Sequence, residues 1–299
     1  MYECGVDRAR ARSRGTAEQE EEAMSEPEIG FIGAGQIGEP MVEQLLAAGR
    51  RVVVYARREE VRTRLAERGV IVVGTPEELA AARVVITCLF TDDQVLEYCT
   101  PIVEKMSAGA VFVSHTTGSP VTIRRLADTG SAVGVSVVEA PFSGTPEAVR
   151  AGRLTVLLAG ADAAVDIAAD AVSAYSANPQ RTGGPGTALA AKLLNNTLFA
   201  AHTQLALAAL EAGASLGISE HTLLDVLGVS SGGSAAADYI AGSGQEARTY
   251  ADQLLRYLQK DLASVRAVAA DLDVDIASLM AAAERGPMAL TDPSHGTVN

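Results

Sequence analysis

The stretch Glu28-Ile-Gly-Phe-Ile-Gly-Ala-Gly-Gln-Ile-Gly-Glu-Pro-Met41 is the strongest indication of the fold of this chain. An apolar strand runs into a cluster of glycines, and Val42, Leu45 and Leu46 follow at helical spacing. In such a turn the first glycine permits a tight bend, the second admits a pyrophosphate to the backbone N–H groups, and the third lets the helix pack on the strand. The pattern indicates a dinucleotide-binding turn, with a purely structural turn as the alternative. Its predicted cofactor contacts are Gly33, Ala34, Gly35, Gln36, Ile37 and Gly38.

The end of the second predicted strand bears on the choice between NAD and NADP. A dinucleotide fold that selects NAD usually places a carboxylate there to bind the ribose 2′-hydroxyl. Here Arg51-Val-Val-Val-Tyr55 is followed by Ala56, Arg57 and Arg58. Two guanidinium groups in place of a carboxylate favour NADP(H) over NAD(H). The alternative is that both arginines are solvated and paired with the glutamates that follow them.

Composition excludes several classes of partner. The 299 residues carry a net charge of −13, no Trp and only 4% aromatic residues, so we expect neither a nucleic-acid partner nor an anionic membrane surface. Cys4, Cys88 and Cys99 form no metal-ligand spacing, and we expect no metal and a cytoplasmic location. Residues 1–27 are predicted to be a disordered tail, or an upstream extension if translation starts at Met24.

Strand and helix patterns alternate up to Gly183-Gly-Pro-Gly186, after which only helical patterns follow. The prediction is an α/β fold, a doubly wound, mainly parallel Rossmann sheet followed by an all-helical C-terminal domain. Its domains are 28–184, which would bind the cofactor, and 185–299, which would serve the substrate and oligomerisation. We predict a long helix over Thr187–Leu216, helices later in the chain, and a loop over Gly228–Gly244. Because the long helix is apolar on nearly every face, it indicates the buried spine of the second domain or the interface of a homodimer or homotetramer.

Lys192 and Asn196 on the long helix are four residues apart and therefore share a face. Polar groups among Ala and Leu are costly to bury without partners, so their presence needs a reason. Two interpretations remain at this point: a catalytic pair, or a solvated lysine beside an asparagine that caps a neighbouring loop.

Four segments together resemble the β-hydroxyacid dehydrogenase family, which includes 3-hydroxyisobutyrate dehydrogenases and semialdehyde reductases. Residues 29–41 resemble its cofactor motif, and Glu139-Ala-Pro-Phe-Ser-Gly-Thr-Pro-Glu-Ala-Val-Arg-Ala-Gly-Arg-Leu154 resembles its substrate motif. Gly186-Thr-Ala-Leu-Ala-Ala-Lys-Leu-Leu-Asn-Asn196 resembles its catalytic motif, and Tyr257-Leu-Gln-Lys-Asp-Leu262 its C-terminal motif. Thr145 and Ala148 stand where the substrate motif usually has glycines, and Glu139 stands where it usually has Asp. Ser114-His115 stands where the family usually has Asp-Cys or a similar pair.

The resemblance implies a role for each matched position. Lys192 would be the general acid/base and Asn196 would orient it or the substrate, a small molecule. The implied substrate contacts are Thr116, Ser143, Gly144, Thr145 and Lys260. Leu89, Phe90, Thr116 and Lys260 would contact the cofactor, and Asp261 would anchor its helix. His115 would either contact substrate or hydrogen-bond within its loop.

The implied reaction is hydride transfer between a nicotinamide and a small β-hydroxy acid or its semialdehyde or keto acid. Imine reductases share this architecture but usually carry Asp or Tyr where Lys192 stands. 6-Phosphogluconate dehydrogenase shares the lysine but is larger and has a His-Asn pair in place of Asn195-Asn196. A non-catalytic NADPH-binding module is the third alternative.

Overall fold

The computed structural model describes residues 28–291, and the predicted N-terminal tail lies outside them. These residues divide into two compact units. Residues 28–116 and 122–185 form the first unit, and residues 117–121 and 186–291 form the second.

The first unit is built on one large sheet. Its strands are β1 (Ile29–Ile32), β2 (Val52–Tyr55), β3 (Ile71–Val72), β4 (Val84–Thr87), β5 (Val111–Ser114), β6 (Ser136–Glu139), β7 (Phe142–Ser143), β8 (Thr155–Ala159) and β9 (Gln180–Gly183). The order is β3-β2-β1-β4-β5-β6-β8-β7, with β9 also paired to β8. The strands from β3 to β6 are parallel, and β8 runs antiparallel to β6. The predicted doubly wound, mainly parallel sheet is confirmed.

Helices connect these strands, as parallel pairing requires. They are α1 (Gly38–Ala47), α2 (Glu59–Glu67), α3 (Asp92–Lys105), α4 (Pro120–Val133), α5 (Pro146–Arg150) and α6 (Asp162–Val172). Thr75 and Glu78 form a capping box, and the segment they open, Pro76–Ala81, is a 3-10 helix. The central strands β1, β4 and β5 are buried on both faces, which explains their continuous apolar runs.

The strand order reverses direction at β1, which pairs with β2 on one side and β4 on the other. In open α/β sheets, ligands bind beyond the carboxyl ends of the strands at such a switch point. Gly33 follows β1 there with φ +102°, a left-handed conformation, and a Cβ on it would overlap the carbonyl of Cys88. A Cβ on Gly38 would overlap the carbonyl of Gly33. Both positions therefore require glycine, as the sequence predicted.

The second unit is helical. Its helices are α7 (Thr187–Ser215), α8 (Glu220–Gly228), α9 (Ala235–Gly242), α10 (Ala247–Asp271) and α11 (Ala277–Glu284). Its apolar core includes Leu193, Leu207, Leu258 and Leu262 of α7 and α10. The prediction of a loop over Gly228–Gly244 is wrong, because α9 lies within it. Ser234 caps that helix, accepting a hydrogen bond from the Ala237 N–H, and Ala236, Ala237 and Ile240 are buried.

The long helix α7 is not buried on every face. Leu193, Ala200 and Leu207 are in the core, whereas Leu194, Leu198 and Leu205 are exposed. Within residues 28–291, no helix combines the length and the hydropathy needed to cross a bilayer.

Gln204 links α7 to the end of the described chain. Its fully buried side-chain amide donates to the carbonyls of Ala283 (3.2 Å) and Met288 (3.0 Å). Its Oε1 accepts from the Met288 N–H (2.8 Å). One polar side chain thus satisfies three backbone groups, one in the last turn of α11 and two in the segment that follows it.

We expect Gln204→Met to lower the free energy of unfolding by about 2–4 kcal/mol. The substitution keeps most of the side-chain volume but leaves buried backbone groups without hydrogen bonds, each of which costs about 1–3 kcal/mol. Chemical denaturation would measure the difference. Gln253→Met on the exposed face of α10 is the control and should change stability by no more than about 0.5 kcal/mol. Equal stability of the two variants would contradict a role for Gln204 as a link.

Candidate functional site

A cleft of about 390 Å³ lies in the first unit at the carboxyl ends of β1, β2 and β4. Three segments that the sequence associated with the cofactor line it: the glycine turn, the end of β2 and the residues after β4. The lining residues are Ile32, Gly33, Ala34, Gly35, Tyr55, Ala56, Arg57, Arg58, Val61, Cys88, Leu89, Phe90, Gln94 and Tyr98.

The glycine turn has the geometry that a pyrophosphate requires. A Cβ on Gly35 would meet nothing within 4 Å, so the backbone there is open to a ligand. The turn continues through Gln36 and Ile37 into the N-terminus of α1, where the first N–H groups and the helix dipole favour an anion. The residues present therefore fit the diphosphate of a dinucleotide.

The two arginines after β2 have different surroundings. The guanidinium of Arg58 lies 3.6 Å from a carboxylate oxygen of Glu60. The guanidinium carbon of Arg57 lies 5.7 Å from the ring centroid of Tyr98. The sequence left open that both arginines pair with the glutamates that follow them, and such an ion pair is observed for Arg58. Both arginines are exposed and line the cleft.

Leu89, Phe90 and Thr116 lie beyond the ends of β4 and β5. The Thr116 hydroxyl is buried and donates to the carbonyl of Leu89 at 2.9 Å. The N–H of Phe90 donates to Oε1 of Gln94 at 3.1 Å. Since a hydroxyl has one proton, donation by Thr116 to a substrate carboxylate would replace its bond to Leu89.

The segment that resembles the substrate motif begins at Glu139, the last residue of β6, and continues through β7, which contains Ser143. Gly144 has φ +139°, and a Cβ on it would lie 3.0 Å from Cδ1 of Leu154. The Thr145 hydroxyl caps α5, accepting from the N–H of Ala148 at 3.4 Å. Ser143 and Gly144 are half-buried and Thr145 is exposed.

His115 is buried and both of its ring nitrogens have partners. Nδ1 lies 2.5 Å from the carbonyl of Ala140, so it carries the proton and donates. Burial lowers the pKa of His115 to about 4, so the ring is neutral and Nε2 accepts from the Tyr175 hydroxyl at 2.8 Å. Of the two interpretations in the sequence, the one in which His115 hydrogen-bonds within the fold is observed.

Lys192 lies on α7 in the second unit and is only 8% exposed. Burial lowers its pKa from the ordinary lysine value to about 8. The Asp261 carboxylate opposes this shift and the Lys260 ammonium adds to it. Burial has the largest effect, so the pKa of Lys192 lies closer to neutral pH than the pKa of an exposed lysine.

Polar side chains of α7 and α10 form a chain of contacts near Lys192. Nδ2 of Asn196 donates to Oδ2 of Asp261 at 2.6 Å. The Lys260 ammonium lies 3.3 Å from Oδ1 of Asp261 and donates to the carbonyl of Thr117 at 2.6 Å. Asn195 is exposed, and its amide donates to Oδ1 of Asn196 at 3.0 Å. Asp261 therefore does more than anchor its helix, since it joins Asn196 to Lys260.

Sequence reasoning missed the cleft residues Tyr55, Gln94 and Tyr98. Gln94 and Tyr98 are four residues apart in the segment that forms α3, and therefore they share a face of that helix. Nothing in the sequence indicated that this face lies against the end of β2.

Comparison with known families accounts for almost the whole described chain. Residues 28–184 match the NAD-binding domain of 6-phosphogluconate dehydrogenase. Residues 186–293 match the family described as the NAD-binding part of NADP-dependent 3-hydroxyisobutyrate dehydrogenase.

Individual relatives agree with these matches. The mitochondrial 3-hydroxyisobutyrate dehydrogenase of Bos taurus is 29% identical over 212 residues, 70% of this chain and 63% of the relative, so this chain spans less than two thirds of its length. Mycobacterium tuberculosis 3-hydroxyisobutyrate dehydrogenase with L-serine has a TM-score of 0.74 at 25% identity, over 86% of this chain and 91% of that one. Streptomyces aurantiacus imine reductase shares the fold, with a TM-score of 0.62 at 22% identity over 86% and 92% of the two chains.

We expect one lysine of this protein to titrate near pH 8. The chain has three lysines, Lys105, Lys192 and Lys260, so [13C]lysine labelling gives few signals and NMR can follow each of them. The Lys192→Met variant would identify the signal. Asp261→Asn should lower its midpoint further, because the variant removes the carboxylate that stabilises the ammonium. An unchanged or higher midpoint in Asp261→Asn would contradict this arrangement of charges.

Proposed function

We propose that this chain, which belongs to the β-hydroxyacid dehydrogenase family, is an NAD(P)-dependent oxidoreductase. It would act on the CH–OH group of a small β-hydroxy acid, or on the corresponding semialdehyde or keto acid. The observation that carries the proposal is the buried Lys192, whose pKa of about 8 suits proton exchange at the reacting oxygen.

Lys192 would hold and move the proton of the reaction. In reduction its ammonium donates to the carbonyl oxygen, and in oxidation its neutral amine accepts the proton of the hydroxyl group. When bound, the cofactor supplies the nicotinamide that exchanges the hydride. Asn196, fixed by its hydrogen bond to Asp261, would orient the lysine or the substrate. A free lysine would be a poor base, since it titrates near ~10.4.

The proposed cofactor is NADP(H) in preference to NAD(H). The 33–38 turn would hold the diphosphate, and Arg57 and Arg58 would supply positive charge for the 2′-phosphate. Leu89, Phe90, Thr116 and Lys260 would contact the cofactor as the family motifs imply. The match of residues 186–293 to an NADP-dependent family supports this preference.

Thr116, Ser143, Gly144, Thr145 and Lys260 would contact the substrate. Hydroxyl and backbone N–H groups at these positions, with the ammonium of Lys260, suit a carboxylate. The free thiols of Cys88 and Cys99 support a reducing, cytoplasmic location.

Turnover should depend on Lys192. We would follow NADPH and NADH oxidation with glyoxylate, succinic semialdehyde, methylmalonate semialdehyde and cyclic imines. With a carbonyl acid, Lys192→Ala should lower kcat by about 10²–10⁴, because it removes the proton donor. Lys105→Ala, on the exposed end of α3, is the control and should retain activity. Turnover of imines alone, or activity indifferent to Lys192, would place the protein with the imine reductases. NADPH binding without turnover would favour the non-catalytic alternative.

We further propose that the protein forms a homodimer or homotetramer through α7. Leu194, Leu198 and Leu205 are exposed at spacings of four and seven residues, which places them along one side of the helix. A second copy presenting the same stripe would remove this apolar surface from water, as two-fold symmetric interfaces do.

A charge in the stripe should dissociate the oligomer. Leu205 is 62% exposed, and burying a carboxylate in an apolar interface is costly, so Leu205→Glu should produce monomers in sedimentation velocity. Ile71→Glu is a matched control, because Ile71 is 68% exposed on β3, outside the stripe. A monomeric wild type, or dissociation by both substitutions alike, would argue against this interface.

A further inference from the structure

The mouth of the cofactor cleft contains an aromatic and cationic cluster to which no family motif assigns a role. Tyr55 ends β2, Arg57 follows two residues later, and Tyr98 lies on α3. The rings of Tyr55 and Tyr98 are 6.5 Å apart at an interplanar angle of 35°, and the Arg57 guanidinium carbon lies 5.7 Å from the Tyr98 centroid. All three side chains line the cleft.

The positive charge of Arg57 is available to a ligand, whereas that of Arg58 is partly neutralised. Arg58 has Glu60 at 3.6 Å, and Arg62 has Glu59 at 3.6 Å, so both carboxylates after β2 already face another arginine. Within the described residues 28–291, no carboxylate forms an ion pair with Arg57. Its neighbour is instead an aromatic face, which attracts a cation without neutralising it.

Tyr98 is well placed to hold Arg57, because its own helix is firmly fixed. Thr91 caps α3, and Val95, Cys99 and Ile102 of the same helix are buried in the unit. An exposed arginine side chain otherwise has many rotamers, and ordering them opposes binding. A ring that limits these rotamers in advance reduces that cost.

We propose that Tyr98 is a positioning residue for cofactor selection: its ring holds Arg57 at the cleft mouth, so that Arg57 rather than Arg58 binds the 2′-phosphate. This inference rests on the proposed preference for NADP(H). Tyr98 itself does not contact the phosphate, and its effect passes through the arginine.

The test measures binding and needs no turnover. Calorimetry would give the affinities of the full-length protein for adenosine 2′,5′-bisphosphate and adenosine 5′-monophosphate, which differ only in the 2′-phosphate. Their ratio in the wild type should favour the bisphosphate. Arg57→Ala should lower this ratio at least about tenfold, as expected for a charged hydrogen bond, and Arg58→Ala less than about threefold.

The tyrosine variants separate positioning from direct contact. Tyr98→Leu should lower the ratio roughly two- to fivefold, the size of an exposed cation–π contact, whereas Tyr98→Phe keeps the ring and should retain the wild-type ratio. In the Arg57→Ala background, Tyr98→Leu should have no further effect on the ratio. Thermal unfolding would establish that each variant is folded.

Three results would overturn the role of Tyr98. Equal loss of both ligands in Tyr98→Leu would mean that the ring contacts the adenosine directly. A reduced ratio that persists without Arg57 would mean that the arginine is not the intermediary, and an unchanged ratio in Tyr98→Leu would mean that the ring has no role. A wild type that binds both ligands equally would instead remove the NADP preference itself, so the two failures are distinguishable.

Discussion

The close approach of backbone to backbone where β1 ends is the constraint on which the first unit depends. Gly33 turns the chain beside the carbonyl of Cys88, and Gly38 starts α1 against the carbonyl of Gly33. No side chain fits at either point. Gly35, between them, also lacks a side chain, so its backbone is open to a ligand, and the N-terminus of α1 follows at Gly38. Strand packing and anion binding therefore depend on the same few backbone atoms.

A different balance governs the second unit, where burial and charge act on Lys192 in opposite directions. Burial disfavours the ammonium and Asp261 favours it, and burial prevails. The folded-state pKa of about 8 lies below the ordinary value of 10.5, so the unfolded chain binds this proton more tightly. Lys192 therefore costs stability below pH 8, by roughly 3 kcal/mol, and the cost disappears as the pH rises from 8 to 10.5. A functional site commonly carries such a cost.

Two other buried polar side chains, Gln204 and His115, have several hydrogen-bond partners, and the contrast with Lys192 is informative. Gln204 satisfies three backbone groups, and His115 uses both ring nitrogens. Each of these side chains fixes a segment of the fold. A buried polar residue is therefore not in itself evidence of chemistry, and what its atoms already bind must be known first.

Local patterns in the sequence were enough to predict the sheet, the glycine turn and the helical second half. These patterns are the period of apolar residues and the backbone freedom of glycine. The sequence also placed Lys192 and Asn196 on one helical face. It failed at α9, where Ser, Gly and Ala suggested a loop but a Ser234 cap and buried Ile240 stabilise a helix. Tertiary structure alone decided that His115 is a buried hydrogen-bonder, that Asp261 joins Asn196 to Lys260, and that Tyr98 faces Arg57. These contacts connect residues far apart in the chain, and their energies depend on burial and distance, which no local pattern contains.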